Sequence, residues 1–465
     1  MSNTENLRDT LLVKRTNGYD RVSGAEAAQL NEYCEGYKVF LNRGKTEREA
    51  AEAAEVMAKT AGFVPFERGI KLNPGDRVYS INHGRAIALA VIGSEPLSEG
   101  ALITAAHIDS PRLDLKPYPL YEESDMAFFK THYYGGIRKY QWVTVPLELH
   151  GIVVKKDGTT VTVNLGGRDD EPAFVITDLL PHLSKDQNTK PLSTAFTGEN
   201  LNVLVGGVPY NDDGSDKVKL AVMSLLNDRY DICEEDFLSA ELSLVPAGKS
   251  RDIGFDASFV GAYGQDDRVC AYTTLTALLE IKETPKQTCV CILADKEEIG
   301  SEGVSGMQSE WYDTFLDNLC KAANIDLRVC FEHSLCLSAD VGAAYDPNFA
   351  EVYDKRNSAL VNGGAILMKY TGAGGKSSSN DAMPEVIAKI RKTFDEANVI
   401  WQMGELGKVD QGGGGTVAKY MASRNIDTVD IGVPVLSMHA PFEVTAKLDV
   451  YMMYRAAKAF FALEK

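Results

Sequence analysis

The apolar run Thr288-Cys289-Val290-Cys291-Ile292-Leu293-Ala294 ends in Asp295-Lys296-Glu297-Glu298-Ile299-Gly300-Ser301-Glu302-Gly303. A short run rich in Val, Ile and Cys reads as an interior strand, and in open α/β sheets ligands collect beyond the carboxyl ends of such strands. Burying one ionised carboxylate is costly unless a cation or hydrogen-bond donors compensate it, and a second beside it raises the cost. The adjacent Glu297 and Glu298 therefore point to a metal site in which one Glu binds the ion and its neighbour acts as a base.

The chain around this run alternates between two periodicities. Helix is expected over Arg268 to Ile281, strand over Thr288 to Ala294, helix over Trp311 to Ala323 and strand over Leu335 to Ala339. The series continues with strand Ala365 to Tyr370, helix Pro384 to Ala397, strand Val399 to Met403, helix Thr416 to Ser423, strand Thr428 to Ile431 and a last helix from Thr445 to Leu463. Such alternation predicts an α/β sheet flanked by helices on both faces. Upstream, Ser23 with Glu26 and Thr46 with Glu49 are capping boxes that start two helices. Val78 to Ile81 and Ala86 to Ile92 flank the turn signal Asn82-His83-Gly84, which makes His83 a loop histidine.

From about Pro117 the texture changes. Val143 to Val154 and Thr159 to Leu165 alternate with period two around Lys155-Lys156-Asp157-Gly158, a hairpin signature, and the polar stretch Ser184 to Asp216 reads as long loops. We therefore expect a discontinuous domain of residues 1–115 plus 251–465, with a β-rich domain inserted at 116–250.

Of 465 residues, 66 are acidic and 48 basic, a net charge of -18 that argues against a nucleic-acid partner. No apolar stretch approaches the roughly 18 residues of a membrane span, and the N-terminus carries no secretory h-region. The eight cysteines form no CxxC pair and several lie inside apolar runs, as reduced core thiols of a cytoplasmic protein would.

Four other strand exits resemble the first. Ala101 to Ala106 runs into His107-Ile108-Asp109, where the carboxylate could orient the imidazole, although a satisfied structural histidine reads the same way. Asp266 and Asp267 open a helix, where N-capping alone would account for acidic residues. Asp340 follows Leu335 to Ala339, where turn chemistry would suffice, and His439 follows a strand-like run ending at Ser437. Together the pattern says more: two of only seven histidines and three acidic clusters stand at such exits. Two His with several carboxylates is the ligand set for a pair of zinc-like divalent ions, held roughly 3.5–4 Å apart by a bridging carboxylate.

The chain resembles the aspartyl aminopeptidase family of co-catalytic metallopeptidases through TAAHIDSPRLDLKP (104–117), YGGIRKYQW (134–142), LLPHL (179–183), DKEEIGSEG (295–303), LSADVGAAYDPN (337–348) and VPVLSMHA (433–440). The resemblance implies a mixed sheet of the zinc-peptidase type, with the inserted domain serving dimerisation. It implies His107 and His439 as ligands of two different ions, Asp267 as the bridge, and Glu298 and Asp340 completing the two shells. Glu297 is then the general base and Asp109 orients His107, while His182 reaches a neighbouring subunit's site. Zinc is the implied metal, with cobalt or manganese as alternatives; the substrates are peptides with a free N-terminus, and the assembly is a homo-oligomer, dodecameric in known family members. At the bridge the family usually has Leu-Asp-Asn-Leu, where this chain has Asp266-Asp267-Arg268-Val269, and after His439 it often has an Ile-Arg-Glu stretch where this chain has Ala440-Pro441-Phe442-Glu443. The Thr371 to Asp381 region also differs, so release of acidic residues and release of neutral or apolar ones both stand.

Other readings are weaker. The same metal pair could serve a dipeptidase or deacylase, and a fold kept without its chemistry could be a scaffold or cargo shell. Gln411 to Thr416 lacks the Lys and spacing of a P-loop, and reads as backbone that approaches substrate or metal closely. The aromatic cluster that includes Tyr133, Tyr134 and Trp142 reads as core or subunit-interface packing.

Overall fold

Four buried strands, Thr288–Ala294, Ala101–His107, Leu335–Ala339 and Asp427–Gly432, lie side by side and parallel at the centre of a nine-stranded sheet. This structure, a computed structural model, describes residues 7–8 and 10–463. On one flank Ala86–Val91 and then Arg77–Asn82 are added antiparallel, with Val64–Pro65 at the edge. On the other flank Ala365–Met368 pairs antiparallel with Asp427–Gly432, and Trp401–Met403 closes the sheet in parallel. The sheet is mixed, but all four central strands point their carboxyl ends the same way.

Both faces of this sheet are covered, and the strand pleat shows why. Cys289, Cys291 and Leu293 pack with Leu102 and Ala106 against the helices Gly24–Arg43, Glu47–Thr60, Gln265–Leu279, Pro384–Glu396 and Lys447–Phe461. The alternate residues Val290, Ile292, Ile103 and Ala105 pack on the opposite side against Trp311–Ala322, Leu327–Glu332 and Ala418–Ala422. A strand buried on both faces must be apolar throughout, which is why Thr288–Ala294 reads as an unbroken run. Truncating one of its fully buried large side chains, such as Leu293, would cost about 2–5 kcal/mol.

Residues 112–246 form an antiparallel six-stranded sheet in the order Thr160–Leu165, Leu147–Val154, Ala240–Pro246, Arg112–Glu123, Met126–Tyr134, Val203–Gly206. Its own core gathers Leu113, Phe129, Trp142, Leu149 and Leu244 under the helix Lys217–Tyr230. This core is separate from the two that flank the large sheet. A third, five-stranded sheet joins Arg251–Ile253, Phe259–Ala262, Glu443–Ala446, Pro434–Leu436 and Gly342–Ala343. It ties together the segments beside Asp266, Asp340 and His439.

Some elements differ from expectation. Lys217–Tyr230 is helical although no helix was expected there, and Leu327–Glu332 adds a short helix. The last helix begins at Lys447, because Glu443–Ala446, with its β-branched Val444 and Thr445, pairs as a strand on both sides. Within 184–216, short turns, a four-residue helix at Leu192–Ala195 and the strand Val203–Gly206 stand where long loops were expected.

Candidate metal centre

The parallel register decides what meets at the carboxyl edge. Ala294 pairs with His107, so the turn carrying Glu297 and Glu298 lies beside His107 and Asp109. Leu335–Ala339 lies on the other side of the His107 strand and delivers Asp340, whose N–H donates to Ile431 O at 2.9 Å. His439 follows Pro434–Leu436 in a left-handed backbone conformation, φ 64°. Together with the start of the helix Gln265–Leu279, these segments bound a cavity of about 420 Å³.

Two groups of donor atoms face one another across its floor: His107, Asp266 and Asp340, and then Asp266, Glu298 and His439, each set lying within 4.8 Å. Asp266 belongs to both. One of its carboxylate oxygens is 3.2 Å from His107 Nε2 and the other 3.0 Å from His439 Nε2. Asp340 Oδ1 lies 3.7 Å from His107 Nε2, and Glu298 Oε2 lies 3.4 Å from His439 Nε2. Asp267, expected as the bridge, does not take that place. The backbone is non-helical at Asp266 and Asp267, so the two side chains diverge, and Asp267 turns beneath the His107 strand to accept from His107 N at 3.3 Å.

Both imidazoles are held in one tautomer. His107 Nδ1 donates to the Asp109 carbonyl at 3.0 Å and His439 Nδ1 to the Gly136 carbonyl at 2.8 Å. A carbonyl only accepts, so each Nδ1 carries a proton and Nε2 is the ring atom that faces the cavity. Asp109 does more than orient His107: its carboxylate also accepts from Glu297 N at 3.1 Å, Glu298 N at 3.2 Å and the Tyr134 hydroxyl at 2.8 Å. It fixes the whole acidic turn.

The electrostatics are those of a cavity built around positive charge. Burial, reinforced by Asp266, pushes the Glu298 carboxyl well above its usual range, and one buried oxygen of Glu298 has no hydrogen-bond partner. Burial, opposed by His107 and reinforced by Asp340, pushes Glu297 up to about 8. Burial disfavours the charged form of His439, yet Asp266 and Glu298 raise it to about 11. Two imidazole nitrogens and a set of carboxylate oxygens, one of them orphaned, are donors that suit zinc. Glu297 Oε2 stands back, 4.0 Å from His107 Nε2, and its side chain is more exposed than that of Glu298.

One residue that no spacing pattern singled out, Glu443, completes the site. Glu443, fully buried, accepts from His439 N at 2.8 Å through one oxygen and from Gln265 N at 2.6 Å and Asp266 N at 3.2 Å through the other. One carboxylate thereby fixes the backbone of a donor residue from each of two segments. Its position four residues after His439 was the available signal. Gly413, Gly414 and Gly415 line the cavity; a Cβ on Gly413 would fall 2.5 Å from Ala373 Cα, so there backbone packs on backbone, whereas a Cβ on Gly414 or Gly415 would meet no such backbone. His182 is exposed in the turn Pro181–Leu183 and does not line the cavity.

A family profile described as aminopeptidase I zinc metalloprotease (M18) matches residues 40–461. The chain belongs to the M18, or aspartyl aminopeptidase, family of zinc metallo-aminopeptidases. A probable M18 family aminopeptidase 1 of Clostridium acetobutylicum is 47% identical, over 97% of this chain and 98% of that one. The crystal structure of an M18 aminopeptidase from Thermotoga maritima superposes with a TM-score of 0.93 at 41% identity, covering 97% and 99% of the two chains. That of the C. acetobutylicum aminopeptidase I gives 0.91 at 44%, covering 97% and 100%. The S. cerevisiae mApe1 dodecamer, at 19% identity over 92% of this chain and 95% of that one and a TM-score of 0.74, shares the fold. This M18 chain is thus a hydrolase of the exopeptidase class. Among its described residues no helix is long and apolar enough to cross a membrane, and the eight cysteines form no disulfide.

Proposed function

We propose that this aminopeptidase holds two divalent ions, one between His107, Asp266 and Asp340 and one between Asp266, Glu298 and His439, and that Glu297 is its general base. The supporting observation is the Asp266 carboxylate, whose two oxygens face the two inward-turned Nε2 atoms at 3.2 and 3.0 Å. Zinc is the metal the donors favour, with cobalt or manganese as substitutes. When bound, such a pair polarises the scissile carbonyl and acidifies water. Glu297 takes the proton of the attacking water and returns it to the leaving amine, for which its set-back position at the cavity mouth suits it. Asp109 keeps Glu297 in place through its backbone N–H.

The cavity wall carries Val341, Met368, Leu406 and Met438, which favours an uncharged first side chain; Lys419 on the rim is the feature that would favour an acidic one. Exposed His182 suits a group that completes a neighbouring subunit's site in a homo-oligomer assembled through residues 116–250. Seven of the eight cysteines are buried thiols outside any disulfide, which suits a reducing compartment such as the cytoplasm. A panel of aminoacyl substrates with free or blocked N-termini tests the reading: Leu and Met should be released faster than Asp and Glu. Equal cleavage of blocked peptides would instead favour the dipeptidase or deacylase alternative, and no cleavage by the zinc-loaded protein would favour the scaffold.

A further inference from the structure

The segment Tyr134-Gly135-Gly136 leaves the last residue of the strand Met126–Tyr134 in the six-stranded sheet and runs directly over the metal centre. Three observations converge on it. The Tyr134 hydroxyl donates at 2.8 Å to the Asp109 oxygen that also receives Glu298 N. The Gly136 carbonyl accepts from His439 Nδ1 at 2.8 Å. Between them Gly135, at φ 77°, lies so close that a Cβ would stand 3.3 Å from Glu298 Oε2 and from the Pro111 ring, a position only glycine fills without strain.

We infer that Tyr134–Gly136 is a positioning clamp through which the six-stranded sheet orients the donors of both ion sites. Tyr134 steadies Asp109, and Asp109 steadies His107 and the Glu297–Glu298 turn. Gly136 selects the His439 tautomer that leaves Nε2 free. The clamp is itself locked. Arg112 lies 3.9 Å over the Tyr134 ring while its guanidinium pairs with Glu47 at 2.9 Å and Asp114 at 2.7 Å. Tyr134 is only 8% exposed, so its hydroxyl has little access to solvent as an alternative partner. Metal affinity and turnover therefore depend on how the six-stranded sheet is seated against the large one, although the two have separate cores. The inference rests on the two-ion reading above, because orienting a ligand matters only if an ion is bound.

Tyr134→Phe keeps the ring and its stacking with Arg112 but removes the hydroxyl. Chelator competition on the full-length protein with Zn²⁺ alone should show affinity at both sites lowered, by roughly 10–100-fold, the usual effect of losing a group that orients a metal ligand. kcat should fall while KM stays near wild type, and Tyr133→Phe, which removes a neighbouring exposed hydroxyl, should change neither. In an Asp109→Asn background, Tyr134→Phe should add little, because both act along one path. Unchanged zinc affinity and kcat in Tyr134→Phe, or an equal loss in Tyr133→Phe, would overturn the clamp. Wild-type protein that takes up no zinc would overturn the ion reading and the clamp with it, so the two failures are told apart before any variant is compared.

Discussion

The nine-stranded sheet brings its site residues as side chains at the ends of parallel strands, whereas the six-stranded sheet brings a phenol hydroxyl and a main-chain carbonyl. The first kind of contribution is local. His107, Asp340 and the Glu297–Glu298 turn each follow an apolar run, and the parallel register alone makes them neighbours. The second is tertiary, since the antiparallel sheet reaches the site where the end of its strand Met126–Tyr134 pairs with the start of Arg112–Glu123. One region supplies the chemistry and the other supplies the constraint.

The two regions meet through charge rather than through a shared core. Arg85, from the turn of the large sheet, pairs with Glu47 at 2.6 Å, Glu241 at 2.5 Å and Asp295 at 2.8 Å, and Asp295 stands two residues before Glu297. Glu241 lies on the six-stranded sheet and also receives Arg48 at 2.6 Å. Nearby, His150 of that sheet pairs with Glu49 of the helix Glu47–Thr60 at 2.7 Å. Buried ion pairs add little net stability against apolar residues, yet removing one partner is expensive.

That contrast can be broken at three levels. Glu297→Gln acts on the chemistry alone: kcat should drop by about 10²–10⁴-fold with zinc content unchanged, and a variant that keeps turnover would remove Glu297 as the base. Arg85→Ala acts on the junction, leaving buried Asp295 without its cation and buried Glu47 with Arg112 alone. Denaturant unfolding should show a loss of about 3–5 kcal/mol, and a loss below about 1 kcal/mol would mean that the junction is not held by charge. The smallest effect is that of pH on His150. Burial disfavours its charged form, but Glu148 and Glu49 raise its pKa from 6.5 to about 9. The folded imidazole keeps its proton where the unfolded one has lost it. This stabilisation, at most on the order of 3 kcal/mol, is therefore complete below pH 6.5 and lost as pH rises through 9. His150→Gln should flatten that slope.

The same contrast explains what could be read before the fold was known. Thr288–Ala294 and Leu335–Ala339 coincide with their expected bounds, because a doubly buried strand is apolar throughout and ends where charge begins. The helix Lys217–Tyr230 was missed: it buries only a narrow stripe of Val218, Val222 and Leu226, and its start is capped not by the adjacent Asp216 but by the distant Glu122, which accepts from Val218 N and Lys219 N. The choice between Asp266 and Asp267 turned on backbone direction at a helix entry, which no spacing encodes. Glu443, Tyr134 and Gly136 act through hydrogen bonds to segments far away in the chain, and such bonds leave no periodicity.

Zinc stoichiometry across the acidic pair tests the central claim most directly. Equilibrium titration of the wild-type chain with Zn²⁺ should saturate at two ions, Asp267→Asn should still bind two, and Asp266→Ala, which removes the carboxylate shared by both donor groups, should lose high-affinity binding at both sites together. Two tightly bound ions in Asp266→Ala, or loss of zinc in Asp267→Asn with Asp266 unchanged, would contradict a centre bridged by Asp266.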